Sequence, residues 1–300
     1  MNRMARLISV ILMGCLFLPQ HIPAAEPSLS GNILFSSNHS GNWDLWTVRP
    51  DGKKLVQVTH TDGDDLFPSV SPDGKKILYA DGRRNLWTMR GDGTDRAMIP
   101  LPPGIYAHPT WRRDGKKIAF VKYTVLPSDK GELWQIERHT GGWKEPERLC
   151  AYPPMRSYPS YSPDGLELAY AEFRRDKILG VVEEVGIMDL KTGGFRLMTA
   201  DLADTYHPVW SPKGDQIAYV SNKAGNYDIW ILNLKDKTHH SLTRDPSFDG
   251  DPVWSPTGQE IAFVSARSGN REIWVISLIG DRLRQITDMK KTSSNPFWVK

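Results

Sequence analysis

The sequence predicts an all-β fold: a six-bladed β-propeller of four-stranded blades. Three observations carry this. A phrase recurs, Pro-Val-Trp-Ser-Pro-Lys-Gly at 208–214 and Pro-Val-Trp-Ser-Pro-Thr-Gly at 252–258, with looser copies starting at Pro68, Pro109, Pro159 and Pro296. Those prolines lie 41, 50, 49, 44 and 44 residues apart, a period of the length that repeat architectures use. Each unit then carries short β-branched and aromatic runs separated by turn residues. Nine of the eleven tryptophans fall at two fixed repeat positions.

Within a unit the first strand is the Pro-x-Trp segment. The next run is Ile77-Leu78-Tyr79, Ile118-Ala119-Phe120, Leu168-Ala169-Tyr170, Ile217-Ala218-Tyr219 or Ile261-Ala262-Phe263. A third run follows, as in Leu86-Trp87-Thr88-Met89 and Ile273-Trp274-Val275-Ile276, and a short fourth closes the unit, as in Gln285-Ile286-Thr287. Between the first two strands, Pro72, Pro163, Pro212 and Pro256 pre-set the backbone of a tight turn, and Gly74, Gly165, Gly214 and Gly258 supply its positive φ. Arg112-Arg113-Asp114-Gly115 keeps only the Asp-Gly. No stretch past residue 25 shows a sustained helical period, so no long helix is expected.

Trp46, Trp87, Trp134, Trp230 and Trp274 share one repeat position, and Trp111, Trp210, Trp254 and Trp298 the other. Both sets are expected in the packing between blades. Trp43 and Trp143 stand outside the pattern and are the residues that a sugar-stacking role would use. The chain enters at Gly31–Ser37 as a second strand and leaves at Ser294–Val299 as a first strand. The C-terminal strand should therefore complete the N-terminal blade and remove two sheet edges. Residues 26–300 form one domain on this reading.

Residues 1–25 read as a secretory signal peptide: Arg3 and Arg6, an apolar run from Leu7 to Leu18, and Pro23-Ala24-Ala25 before Glu26. A rival reading makes Leu12-Met13-Gly14-Cys15 a lipoprotein box with Cys15 lipidated. Export to the periplasm as a monomer, with no transmembrane segment in the mature chain, is expected. Of the two cysteines only Cys150 would remain, so no internal disulfide can form. The 38 Lys and Arg, less Arg3 and Arg6, leave 36 against 35 Asp and Glu, which gives no electrostatic case for nucleic acid.

Residues 207–230 and 251–274 (His-Pro-Val-Trp-Ser-Pro-Lys-Gly…Asp-Ile-Trp and Asp-Pro-Val-Trp-Ser-Pro-Thr-Gly…Glu-Ile-Trp) resemble the repeat of the TolB-type propeller family, a WD-like repeat, and the resemblance covers nearly all of 31–300. It implies the propeller fold and leaves function open, since the same repeat also occurs in the propellers of prolyl oligopeptidase-like peptidases. TolB proper carries an α/β domain ahead of its propeller. Here only Glu26–Ser30 lie between the leader and the first strand, so the part of the family's role that the resemblance implies is docking of a peptidoglycan-associated lipoprotein-like partner at the channel face.

In propellers the first strand lines the central channel. The residues just before the recurring proline, Phe67, His108, Tyr158, His207, Asp251 and Asn295, are thus expected at the channel mouth. Two positions earlier lie Asp65, Tyr106, Arg156, Thr205, Asp249 and Ser293. This mix of aromatic, imidazole, carboxylate and amide groups could grip a peptide, a polar loop or a cation. Asp249, Asp251 and Asp65 are the oxygen donors that calcium would use, and His108 and His207 invite zinc or manganese. No cofactor is otherwise expected.

No Gly-x-Ser-x-Gly, His-Glu-x-x-His or P-loop signature occurs. The expected function is a non-catalytic scaffold for an envelope protein or peptide. The alternative is a metal-dependent polysaccharide lyase of the oligogalacturonate type using channel histidines. Extra sequence at 123–131 and 172–184 should lie side by side on one face, where loops carry recognition.

Overall fold

The computed structural model describes residues 29–123, 131–150, 156–176, 180–201, 203–279 and 282–300. The expected leader at 1–25 and most of the first insertion lie outside the described residues. The chain forms six antiparallel sheets arranged as the blades of a propeller. Five sheets have four strands, in chain order in four of them and with the last strand of the chain placed first in blade 1. In blade 3 the outer strand is split into Gly142–Trp143 and Glu147–Arg148. Pro146, which has no N–H to donate, lies in the break. Closure is as expected: Ser293–Trp298 pairs with Ile33–Ser37, so the last strand of the chain is the innermost strand of blade 1.

The core is six wedges, one between each pair of neighbouring blades. Second-strand residues such as Ile77, Phe120, Tyr219 and Phe263 are fully buried in them. One wedge joins Ile33, Phe35 and Val48 of blade 1 to Ala262, Val264 and Val275 of blade 6, so ring closure buries apolar surface as well as pairing backbone. In five blades an aromatic residue of the second strand sits opposite the third-strand tryptophan: Phe35 with Trp46, Tyr79 with Trp87, Phe120 with Trp134, Tyr219 with Trp230 and Phe263 with Trp274. Blade 4 pairs Tyr170 with Gly186 instead. A Cβ on Gly186 would lie 2.8 Å from the Tyr170 ring, so the glycine makes room for the tyrosine.

The two tryptophan sets differ in their surroundings. Trp111, Trp210, Trp254 and Trp298 of the first strands are buried between blades. The third-strand set is half-buried, and four of its five members are capped by cations: Lys223 Nζ lies 4.0 Å from the Trp230 ring, and Lys122, Arg267 and Arg96 cover Trp134, Trp274 and Trp87. A third-strand indole has one face on the wedge and one near solvent, where a long cationic side chain can lie over it. Trp143 packs 6.3 Å from Trp111 and joins the wedge of blades 2 and 3, an inward placement unlike the exposed sugar platform considered for it.

Candidate functional site

Every first strand contains the same irregularity. Between Leu66 and Ser69 the first strand of blade 2 spends three steps against two on its partner, Ala80 to Leu78. The same slip occurs in the other five blades. The extra residue is a β-bulge, and in each blade it is followed by the recurring proline. Its backbone is left-handed: φ is 56° at Phe67, 51° at His108, Tyr158 and His207, and 50° at Asp251 and Asn295. Six non-glycine residues in this region form one ring about the propeller axis. Left-handed backbone costs on the order of 1–3 kcal/mol per residue and concentrates at functional sites.

The bulges turn six side chains into the channel, where they touch. Phe67 and His108 have ring centroids 4.4 Å apart, His108 and Tyr158 4.1 Å, and Tyr158 stacks on His207 at 4.6 Å and 20°. His207 Nδ1 lies 3.1 Å from Asp251 Oδ1, and the Asn295 backbone N–H donates to Asp251 Oδ2 at 2.9 Å. The chain of contacts thus runs from an apolar side at blades 2 and 3 to a charged side at blades 5, 6 and 1. It crosses the channel as a diaphragm above a cavity of about 120 Å³ lined by the recurring prolines.

The electrostatics follow from this enclosure. Burial, then the neighbouring His207, hold the His108 pKa down to about 3, so its imidazole is neutral at physiological pH. Burial raises the Tyr158 hydroxyl well above its ordinary value. Burial also opposes ionisation of Asp251, but the hydrogen bond and charge of His207, the Asn295 N–H and Arg271 outweigh it and leave the carboxyl below its usual range. With Asp251 ionised, His207 Nδ1 carries the shared proton.

Asp249, expected beside Asp251, is elsewhere. It is fully buried between strands, and its Oδ2 accepts from Arg267 at 2.8 Å. Asp65 is likewise buried, 4.0 Å from Arg96, and Thr205 and Ser293 bond to Ser221 and Ser37. The bulge is the physical reason: it rotates the pre-proline residue toward the axis, while the residue two positions earlier points into the gap between strands. The three aspartates therefore do not converge on a calcium site. His108 and His207 do not converge either, because the Tyr158 ring stands between them. Among the described residues no group of three His, Cys, Asp or Glu is placed to hold a metal ion. Among the described residues, the channel histidines therefore do not form the paired donor set on which the lyase alternative relies.

The rim above the diaphragm adds residues that repeat reasoning did not single out. Tyr206 lies 5.7 Å from both Tyr158 and Tyr227, Tyr227 lies 6.0 Å from Phe248, and Arg271 covers Phe248 at 4.4 Å. Gly250 lets this wall close, since a Cβ there would meet the Phe248 ring at 2.4 Å. The second insertion forms an extended hairpin, Glu167–Asp176 with Gly180–Asp189, reaching past the start of the first strand on this same face. It carries Glu183, whose pKa is pushed up to about 7 by burial and then by the charge of Asp204.

A model of the TolB β-propeller domain matches residues 147–300. The chain is 28% identical over 210 residues to the Tol-Pal system protein TolB of Francisella tularensis, a match covering 68% of this chain and 47% of that protein. It spans less than half the length of the curated relatives it matches. Among solved structures it superposes on TolB from Acinetobacter baumannii with a TM-score of 0.77 at 21% identity, covering 91% of this chain and 67% of that one. It also superposes on an oligogalacturonate lyase in complex with manganese, with a TM-score of 0.61 at 17% identity over 87% and 75% of the two chains. These two superpositions speak for the fold.

Proposed function

The chain belongs to the TolB β-propeller domain family, and from that premise we propose that it is an exported, non-catalytic scaffold binding an envelope protein or peptide at the channel entrance. The observation that carries this is the ring of six left-handed residues. Six left-handed positions hold side chains of five kinds against one another, with an apolar wall on one side and a charged cluster on the other. Such a surface is pre-organised for a partner segment that lays an apolar side chain on Phe67 and Tyr158 and a polar group on His207, Asp251 and Asn295.

The relative from Francisella is named for the Tol-Pal system, which supports a peptidoglycan-associated lipoprotein-like partner. Periplasmic placement rests on the leader at 1–25. No helix among the described residues is long and apolar enough to cross a membrane.

The test is recovery of partners from an envelope extract by the purified protein, compared with a His207→Ala/Asp251→Ala variant. The wild type is expected to retain an envelope protein that the double variant loses, with both melting cooperatively. A variant that keeps every partner would remove the channel entrance from consideration. Formation of unsaturated product from oligogalacturonate with added manganese would favour the lyase instead.

A further inference from the structure

The opposite end of the channel is built differently. There the first strands end and the Ser-Pro turns begin, and a second cavity of about 190 Å³ opens to solvent. Its wall is one residue from each blade: Val70, Trp111, Tyr161, Trp210, Trp254 and Trp298. Its rim is the next ring but one, Pro72, Arg113, Pro163, Pro212, Pro256 and Lys300. Four blades place a proline at the rim, and the two that depart from the repeat place a cation there instead. The departure in Arg112-Arg113-Asp114-Gly115 thus has a structural consequence that the turn itself does not require.

The Arg113 and Lys300 side chains reach solvent at the rim, and among the described residues no side-chain carboxylate pairs with either. Their mutual repulsion is felt: burial, and then the charge of Arg113, lower the Lys300 pKa from its ordinary value. An apolar, aromatic-walled cavity with two unpaired cations on one side of its mouth selects for a guest with an apolar body and an anionic head. At about 30 Å³ per water the space holds roughly six waters, the volume of a phenyl ring with a short tail rather than of a lipid chain.

We propose that this funnel, on the face opposite the diaphragm, is a binding site for a small organic carboxylate with an aromatic or branched apolar body, its carboxylate held by Arg113 and Lys300. The same chemistry is offered by a free acid and by the C-terminal residue of a peptide ending in an aromatic side chain. This site is independent of the partner surface at the entrance.

The test is isothermal titration of the full mature protein with 4-phenylbutyrate, with its uncharged amide, and with N-acetyl-Gly-Gly-Phe as the peptide arm. The acid is expected to bind, and binding should weaken as ionic strength rises. The amide, or the acid on Arg113→Gln/Lys300→Gln, should bind at least roughly tenfold more weakly, since hydrogen bonds to a charged group are lost. Val70→Trp, which fills the wall, should abolish binding, and His207→Ala on the opposite face should leave it unchanged. Tighter binding of the tripeptide than of phenylbutyrate assigns the site to peptide C-termini, and the reverse assigns it to free acids. No heat for any probe up to roughly 1 mM, equal binding of acid and amide, or an unaffected rim variant would overturn the proposal.

Discussion

At position 67 a phenylalanine adopts a backbone conformation that favours glycine, asparagine and aspartate. The same holds for the histidines and the tyrosine of the ring, and this strain can be tested apart from the side-chain contacts. Phe67→Asn keeps access to the left-handed region, whereas Phe67→Val, β-branched, does not. Both lose the ring contact with His108, so the valine variant is expected to be less stable than the asparagine variant by about 1–2 kcal/mol in urea unfolding. Equal stabilities would mean that the bulge relaxes without cost. The ring also sets a pH dependence. His108 has a folded pKa of about 3 against an ordinary 6.5, so the unfolded chain binds more protons between those values. Its contribution is therefore intact above 6.5 and lost as pH falls toward 3. Glu183 has the opposite sign: its pKa of about 7 against an ordinary 4.5 means that stability falls as pH rises through that window. Glu183→Gln should be more stable than wild type at pH 8 and no more stable at pH 4, measured by thermal melts at each pH. The ring positions were legible because each precedes the recurring proline. Their mutual contacts were not, since the bulge that aims them leaves no mark in hydrophobic alternation, and that same bulge separates Asp249, bonded to Arg267, from Asp251 in the channel.

At the scale of the strand and the blade, a second repeated device emerges. Asp44, Asp228 and Glu272 are buried at the start of third strands, and each accepts a hydrogen bond from a threonine fifteen residues on: Thr59, Thr243 and Thr287. Glu184 is likewise paired with Thr199. The same threonine oxygens accept from the backbone N–H of Leu45, Ile229, Ile273 and Val185, which fastens the outer strand to the third. Thr243→Val is expected to cost about 1–3 kcal/mol, because it leaves both a buried carboxylate and a strand N–H without their partner. Denaturant unfolding measures it, and a cost near zero would show that water replaces the hydroxyl. The signal was present in the sequence as an acid–threonine pair at constant spacing, but proline and tryptophan dominate the repeat and masked it. Blade 3 carries Cys150 at the threonine's place, following Leu149, whose N–H bonds to Leu133 as that of Val58 bonds to Leu45. The thiol is thus a substitute within a structural pattern.

For the whole molecule, the fold was nearly all legible because proline, tryptophan and Asp-Gly turns recur at one period, and a chain that starts on a second strand and ends on a first must close on itself. The closure has a measurable consequence. Removing residues 295–300 takes away most of the inner strand of blade 1 together with Trp298 and Val299, which are buried in two different wedges. The truncated protein should aggregate or melt far below the intact chain, and an unchanged melting temperature would contradict closure. Function was less legible, because a six-fold scaffold places some residue at every channel position and only packing decides which of them meet. The proposed partner surface at the entrance can be tested most directly by site-specific photo-crosslinking in living cells. A photo-reactive phenylalanine analogue at Tyr206, on the entrance rim, is expected to capture an envelope protein, while the same analogue at Met98, on the outer edge of blade 2, captures none. Capture from Met98 and not from Tyr206 would contradict the account.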